Sequence, residues 1–486
     1  MLRRGYTHSV GALPAWQVPG CAYGAVAPQA KSAPLVMRVG PKGTILPARE
    51  RFGGLAVYGW DGYGRDHRLN ERNRVMERRL TVTKAANAAA IQREIDFVAR
   101  TGGRVVLPAA RVELDRALRL RSGVELRGQG PGRTILRQGP VRVYPLTGYH
   151  NYGMVDVPLQ STEGLEPGMT VCVHDDRTHG SFYETFAVIT WVEDHWVGLD
   201  HGLEADYSGD RQPVLTTARP LVCGHRIHGA ALRDLSLEGR CRDSPSAMGG
   251  CRGGAVYLAN SRDVEITGVT ETEFDGEGLS FQMCRDLVIR DCRFTANTGN
   301  GLHPGAGSTN VLFERCAGDD NARAGFFFCV RANHITVRDC DFRGNASGIS
   351  IGTRDCHNLI EGCVIETNQG PGILVRETPA STEVHSILIR RCHLRGNGAR
   401  GGAGQVEVAG AAHDLIVEEN GFAGEGRTPG LRLAAESERI FLNANEFTDC
   451  TTDIEGDVAA LTATRPRLDC GYGDWSPAVF RHLCTA

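Results

Sequence analysis

From Gly254 to Phe447 the chain repeats one hydrophobic pattern. Each copy opens with a glycine and a short apolar strand: Gly278-Leu279-Ser280-Phe281, Gly301-Leu302-His303-Pro304, Gly325-Phe326-Phe327-Phe328, Gly348-Ile349-Ser350-Ile351, Gly372-Ile373-Leu374-Val375. The opening glycines at 254, 278, 301, 325, 348 and 372 are 24, 23, 24, 23 and 24 residues apart. A fixed period of this size marks a stacked repeat in which each copy is one structural unit. A second apolar strand follows, then a recurring residue: Cys292, Cys316, Cys340, Cys363, Cys392, Asn420, Asn445. Both strands alternate with period two, and no copy carries a helical stripe. The pattern predicts an all-β fold, a right-handed parallel β-helix solenoid whose coils stack about 4.8 Å apart.

In such a stack each recurring position becomes a column of touching side chains. In the first strand the inward residues are apolar, and the outward column reads Tyr257, Ser280, His303, Phe327, Ser350, Leu374, Glu407. In the second, the outward column is apolar too: Val288, Leu312, Thr336, Leu359, Leu388, Ile416. An apolar strip of that length needs a cover. The N-terminal region, an inserted region or a second copy of the chain (a homo-oligomer through this sheet) would each supply one.

Around this core, residues 1–80 read as an irregular, Gly- and Pro-rich wrapping segment. Its aromatics Tyr58, Trp60 and Tyr63 serve either as anchors or as sugar-stacking rings at a groove edge. Residues 81–138 hold a capping helix and the first coils. Ile91, Ile95 and Val98 form the helix stripe, Asn87 the N-cap, and Gly102-Gly103 the stop. Residues 139–222 break the period and predict a small inserted β subdomain; its Asp175, Asp176, Tyr183 and Glu184 read as solvated loop residues or as ligand contacts. Residues 223–450 form the main β-helix, and 451–486 a C-terminal cap.

The amphipathic helix, then Gly103-Arg104-Val105-Val106-Leu107-Pro108, then Leu126-Arg127-Gly128-Gln129-Gly130 and the long coils together resemble the pectate-lyase-like β-helix superfamily over residues 80–138 and 223–450. The resemblance implies a protein of the polysaccharide lyase, glycoside hydrolase, uronate epimerase or phage tailspike kind. The usual Pro-Ala-Gly-x-Tyr turn is here Pro108-Ala109-Ala110-Arg111-Val112. Neither the aspartate cluster of calcium-dependent pectate lyases nor the paired aspartates of polygalacturonases is found.

Charge narrows the choice. The net charge is −3, which argues against a nucleic-acid coat or a membrane-surface role. The only lysines are Lys31, Lys42 and Lys84, so a lysine base within the coils is excluded. No secretory signal follows Met1-Leu2-Arg3-Arg4, and no apolar run is long enough to span a membrane, so the sequence favours the cytoplasm over export. Five of the 16 cysteines fall in one column, as small buried hydrophobes rather than disulfide partners. No CxxC pair is present, so no metal site of the usual zinc spacing is expected.

Polar residues gather around the first strand over consecutive coils. Catalytic candidates are His303, Arg354, Asp355, Arg376 and Glu377; substrate-binding candidates are Asp275, Glu277, Gln282, Arg323, Phe327, Arg331 and Glu407. Arginines in a row suit bidentate binding of carboxylates, and an outward Phe327 suits a sugar ring. Each arginine–acid neighbour also reads as a plain ion pair. His303 as base with an arginine neutralising the developing charge fits β-elimination of an acidic polysaccharide. Asp355 and Glu377, one rung apart, fit a glycoside hydrolase. A non-catalytic glycan-binding or tailspike-like module is the third alternative. No motif requires a cofactor; Ca2+ could assist.

Overall fold

The computed structural model describes residues 76–81, 87–148, 150–176, 184–217, 220–242 and 253–468. The aromatics at 58–63, Tyr183 and the end of the C-terminal cap lie outside them. Among the described residues no helix is long and apolar enough to cross a membrane.

The expected parallel β-helix is present. One sheet of eleven strands carries the first strand of every coil, from Leu118–Arg119 through Glu277–Gln282, Leu302–Pro304 and Ser347–Ile351 to Ile454–Gly456. Its register sets Tyr257 beside Ser280, Ser280 beside His303, Phe327 beside Ser350, Ser350 beside Leu374 and Leu374 beside Glu407. The second strands stack in the same way, with Val288, Leu312, Thr336, Leu359, Leu388 and Ile416 in one row.

The coil has a third strand that the hydrophobic pattern does not announce. Arg293–Thr295, Ala317–Asp319, Asp341–Arg343, Val364–Glu366 and His393–Arg395 are only three residues long, and one apolar residue in three shows no alternation. The corner before it turns on one left-handed residue per coil: Asp291, Arg315, Asp339, Gly362, Arg391 and Glu419 have φ between +51° and +64°. For a residue other than glycine that conformation costs about 1–2 kcal/mol, which the ladders on either side must offset.

Two ladders do so. The cysteine column lies just past the corner as free, buried thiols. Each S–H donates to the backbone carbonyl two residues earlier, as in Cys340 to Arg338 (3.1 Å) and Cys363 to Glu361 (3.4 Å). The column continues as amides, where Asn420 Nδ2 donates to Asn445 Oδ1 at 3.0 Å. At the next turn stands an asparagine ladder not singled out from the sequence: Asn297, Asn321, Asn345, Asn368 and Asn397. Each Nδ2 donates to the next Oδ1 at 2.8–3.1 Å, and the last donates to Gln405 Oε1 at 2.7 Å. Each Oδ1 also accepts a backbone N–H from the coil before, as Asn345 Oδ1 does from Asn321 (2.8 Å).

The coil interior is filled by stacked aromatics, Phe313, Phe326, Phe328 and Phe342, with ring centroids 4.8–5.8 Å apart. The helix Ala88–Val98 lays Ile91, Ile95 and Val98 against this core, and Asn87 Oδ1 accepts from the Ala90 N–H at 2.9 Å. Two boundaries and one cover differ from expectation. Met76–Arg79, within the presumed wrapping segment, pairs in parallel with Gly103–Val106 as a first rung; its charged residues hide it. The first sheet runs on to Ile454–Gly456, and the turn Val458–Ala460 then packs Ala460 against the core. The apolar second column is covered over Leu359, Leu388 and Ile416 by Leu468 of the C-terminal segment, which was not among the expected covers. Arg465 anchors that segment by two bonds to Glu418.

Residues Val143–Thr216 contain a six-stranded antiparallel sheet with its own core of Tyr144, Val157, Val171, Val173, Val197, Tyr207 and Leu215. It touches the first sheet of the solenoid, where the Phe186 ring lies 5.8 Å from Tyr257. Asp175 and Glu184 are buried in it and only Asp176 is exposed.

Asn345→Ala removes a donor and an acceptor from the middle of the amide ladder and strands the groups above and below it. Each unsatisfied buried group costs about 1–3 kcal/mol. Denaturant titration should therefore show a loss of about 3–5 kcal/mol, far beyond an exposed substitution on the same turn.

Candidate functional site

The outward side of the first sheet holds a four-residue stack, with Glu277, His303 and Phe327 from three consecutive coils and Arg376 from two coils further on. Glu277 stands at its base. His303, in Leu302–Pro304, sits above with Nδ1 3.3 Å from Glu277 Oε2. The Phe327 ring meets the imidazole edge-on at 5.0 Å. The Arg376 guanidinium lies 4.2 Å from the other side of that ring, a cation–π contact. Arg376 also donates to Ser350 Oγ (2.7 Å) and the Phe328 carbonyl (2.9 Å), and its guanidinium is 3.8 Å from Asp355 Oδ2. Gly352 makes room for it: a Cβ there would come within 2.5 Å of the guanidinium.

His303 was expected outward and open; it is outward in register but only 2% exposed, as is Glu277. Burial pushes its pKa down, but the Glu277 charge and the Cys329 sulfur outweigh that and raise it to about 9. At neutral pH the imidazole is therefore protonated. Of the base and acid roles open to His303, the protonated imidazole suits the acid, as a proton donor.

Several other candidates prove to be turn fasteners. Asp355 is fully buried, its Oδ1 accepting the Ala332 N–H (2.9 Å) and its Oδ2 the Gly352 N–H (2.8 Å). Burial pushes its pKa well up, against those two donors and Arg376. Gln282 Oε1 accepts the Ala306 N–H at 2.7 Å, and Asp275 Oδ1 accepts the Thr298 hydroxyl at 2.9 Å. Glu277 accepts both the backbone and side-chain amides of Asn300 (2.9 and 3.2 Å). All are buried. Glu377 is exposed whereas Asp355 is buried with both oxygens bound to backbone N–H groups, so of the expected carboxylate pair only Glu377 is open to solvent. The cause is backbone curvature: Asp355 lies in the tight turn leaving the first sheet, where two inward N–H groups need an acceptor more than the groove needs an acid.

The cations divide between the two ends of the first strand, with Arg323 at its entry and Arg331 and Arg354 beyond its exit. Arg331 and Arg354 are exposed in turns on consecutive coils, both with left-handed backbone (φ +64° and +59°), and Arg323 is half-buried. Glu407 belongs to a different neighbourhood; it lies 3.8 Å from Arg432, which binds Glu455 at 3.0 Å. Sequence reasoning missed Ser350, Asn300 and Cys329, which hold Arg376, Glu277 and His303. Period alone carried a signal: Asn300 stands in the turn just before the rung of His303.

A folded pKa of about 9 against 6.5 has a stability consequence. The protonated pair contributes fully below pH 6.5, and its contribution is lost as pH rises through about 9. Stability of the native chain from denaturant titration should fall across that window, with a His303 part on the order of 3 kcal/mol that His303→Gln removes, leaving the fall due to buried Glu271. Imidazole NMR titration gives an independent check, and a midpoint at or below 6.5 would restore His303 as a base.

The family model for the right-handed β-helix region matches residues 246–328 and 327–460. No curated protein sequence matches the chain. Among solved structures, the A-modules of two mannuronan C-5 epimerases from Azotobacter vinelandii are similar, each at 17% identity and covering 78% of this chain and 95% of theirs, with TM-scores of 0.53 and 0.51. A hyperthermoactive exopolygalacturonase from Thermotoga maritima shows 11% identity, 81% and 94% coverage and a TM-score of 0.48. The capping helix, the three-strand coils and this match over residues 246–460 together show a right-handed parallel β-helix region as the body of the chain.

Proposed function

We propose that this protein is a carbohydrate-active β-helix that lays an acidic polysaccharide along the outward edge of its first sheet. There it removes the proton beside a uronate carboxyl group, the step that opens β-elimination. The observation behind this is the balance of charge at that edge. Arg331 and Arg354 are exposed in the turns that follow the first strand on consecutive coils, Arg376 lies over Phe327 and His303 is protonated, while the one exposed acid among the catalytic candidates is Glu377. Guanidinium groups suit a uronate carboxylate and the charge that grows on it when the neighbouring proton leaves. Glu377 is the base in this scheme and Arg354 and Arg331 the neutralisers, while Phe327, covered by Arg376, helps to hold that guanidinium. Hydrolysis needs two carboxyl groups flanking the bond, and Asp355 has both oxygens given to backbone N–H groups. The Azotobacter proteins of similar fold are named for an action at C-5 of mannuronan, which supports a uronate polymer as substrate class. Calcium is proposed only as an assisting ion.

One observation favours a non-catalytic glycan-binding module instead. Glu277, His303 and Asp355 are all buried and engaged in holding the coils.

A panel of acidic and neutral polysaccharides, with and without calcium, separates these. Ultraviolet absorbance of an unsaturated uronide and reducing ends should rise together, and Glu377→Gln should slow turnover by at least about 100-fold. Reducing ends without absorbance would mean hydrolysis. Deuterium uptake from solvent without cleavage would mean epimerisation. Binding without any of these would mean a module.

A further inference from the structure

The second sheet carries a column of imidazoles that the polysaccharide face does not use. His334, His357, His385 and His413 stand on four consecutive coils with ring centroids 5.1, 5.2 and 5.1 Å apart; the pairs 334–357 and 385–413 are stacked nearly parallel. Cys356 pairs directly with His385 in the ladder, and His385 with His413. The backbone at His357 is left-handed (φ +55°), which interrupts strand alternation, so sequence neighbours Cys356 and His357 both reach the same point. The ligand atoms of Cys356, His357 and His385 all lie within 4.8 Å of one another.

We propose that Cys356, His357 and His385 form a transition-metal site, of the kind that takes Zn2+, on the second sheet. Its donor set, one sulfur and two imidazole nitrogens, is the soft and borderline combination that selects zinc or its neighbours over calcium or magnesium. In a tetrahedral site, bonds of about 2.0–2.3 Å place donors about 3.5 Å apart. Closure therefore asks for side-chain shifts on the order of 1 Å. Three protein ligands leave the fourth position to water or to a further acid. Glu383 is near at hand, with Oε1 3.7 Å from His413 Nε2 and its other oxygen buried without a hydrogen bond. His413 itself is already engaged, by Asp414 at 2.7 Å and Arg439 at 2.9 Å, and so closes the column rather than joining the site.

The site is also reachable, since Cys356, His385 and His413 are half-buried rather than sealed. The sequence offered no CxxC or similar spacing because the ligands come from two coils and the register supplies the proximity.

The test uses the full-length chain, reduced, stripped with a chelator and titrated with Co2+ as a spectroscopic probe. One equivalent should give tetrahedral d–d bands and a thiolate-to-cobalt charge-transfer band, and Zn2+ should displace both. Cys356→Ser should abolish the charge-transfer band. His385→Gln should weaken Zn2+ competition by at least about 10-fold, with far-UV circular dichroism unchanged. Bands that persist in both variants place the metal elsewhere, and the absence of a charge-transfer band in the native chain excludes the thiolate; either result overturns the proposal. Should Cys356→Ser fail to fold, the His385→Gln titration decides alone.

Discussion

Everything in this molecule follows from the spacing of its coils. When one coil sits about 4.8 Å above the next, a side chain's nearest neighbour is its own counterpart one period away. An interior polar residue is then acceptable only if a copy of itself can satisfy it. Asparagine can, because its amide donates and accepts at once, and the run Asn297 to Asn397 does so through five coils. Cysteine meets the same demand differently, by being small and by bonding back to its own strand. The left-handed corners that let three strands fit into so short a coil are held in place by these two columns on either side.

The same rule governs where ionisable groups end up. A carboxylate at a coil turn finds backbone N–H groups converging on it, as Asp355 does, and becomes part of the frame. A histidine over a buried glutamate becomes a permanent cation. The groups left for chemistry are those the stack does not need, and on the first sheet these are mostly arginines with long stems that reach past the turns. The acidic polysaccharide proposed as substrate rests on these cations, since the acids behind them are already satisfied by the coil turns.

The periodic glycines and cysteines made the solenoid, its registers and its capping helix legible in the sequence, because each depends on local alternation and on a period. The third strand was not legible: three residues around a single apolar one, such as Arg293-Phe294-Thr295, carry no alternation to detect. Nor was the burial of His303 or Asp355. Outward register was read correctly for His303, but outward in a solenoid does not mean exposed when a neighbouring rung, Phe327, and a turn sulfur, Cys329, close over it. The imidazole column on the second sheet is spaced by 23, 28 and 28 residues from His334 to His413, and the longer turns on its later coils concealed it.

The two chemical faces are joined by one turn. Gly352 to His357 leaves the first sheet beside Arg376 and enters the second as Cys356-His357. Asp355 sits between, holding the Gly352 and Ala332 N–H groups and facing the Arg376 guanidinium. A metal gathered by Cys356 and His357 would draw on the residue next to Asp355, and any shift there reaches Arg376 through contacts of 2.8 to 3.8 Å with no flexible linker between. The coupling is short because the turn is short. A solenoid with longer turns would separate the faces, and this one, by keeping the turn to the four residues 352–355, links the position of its central guanidinium to both sheets.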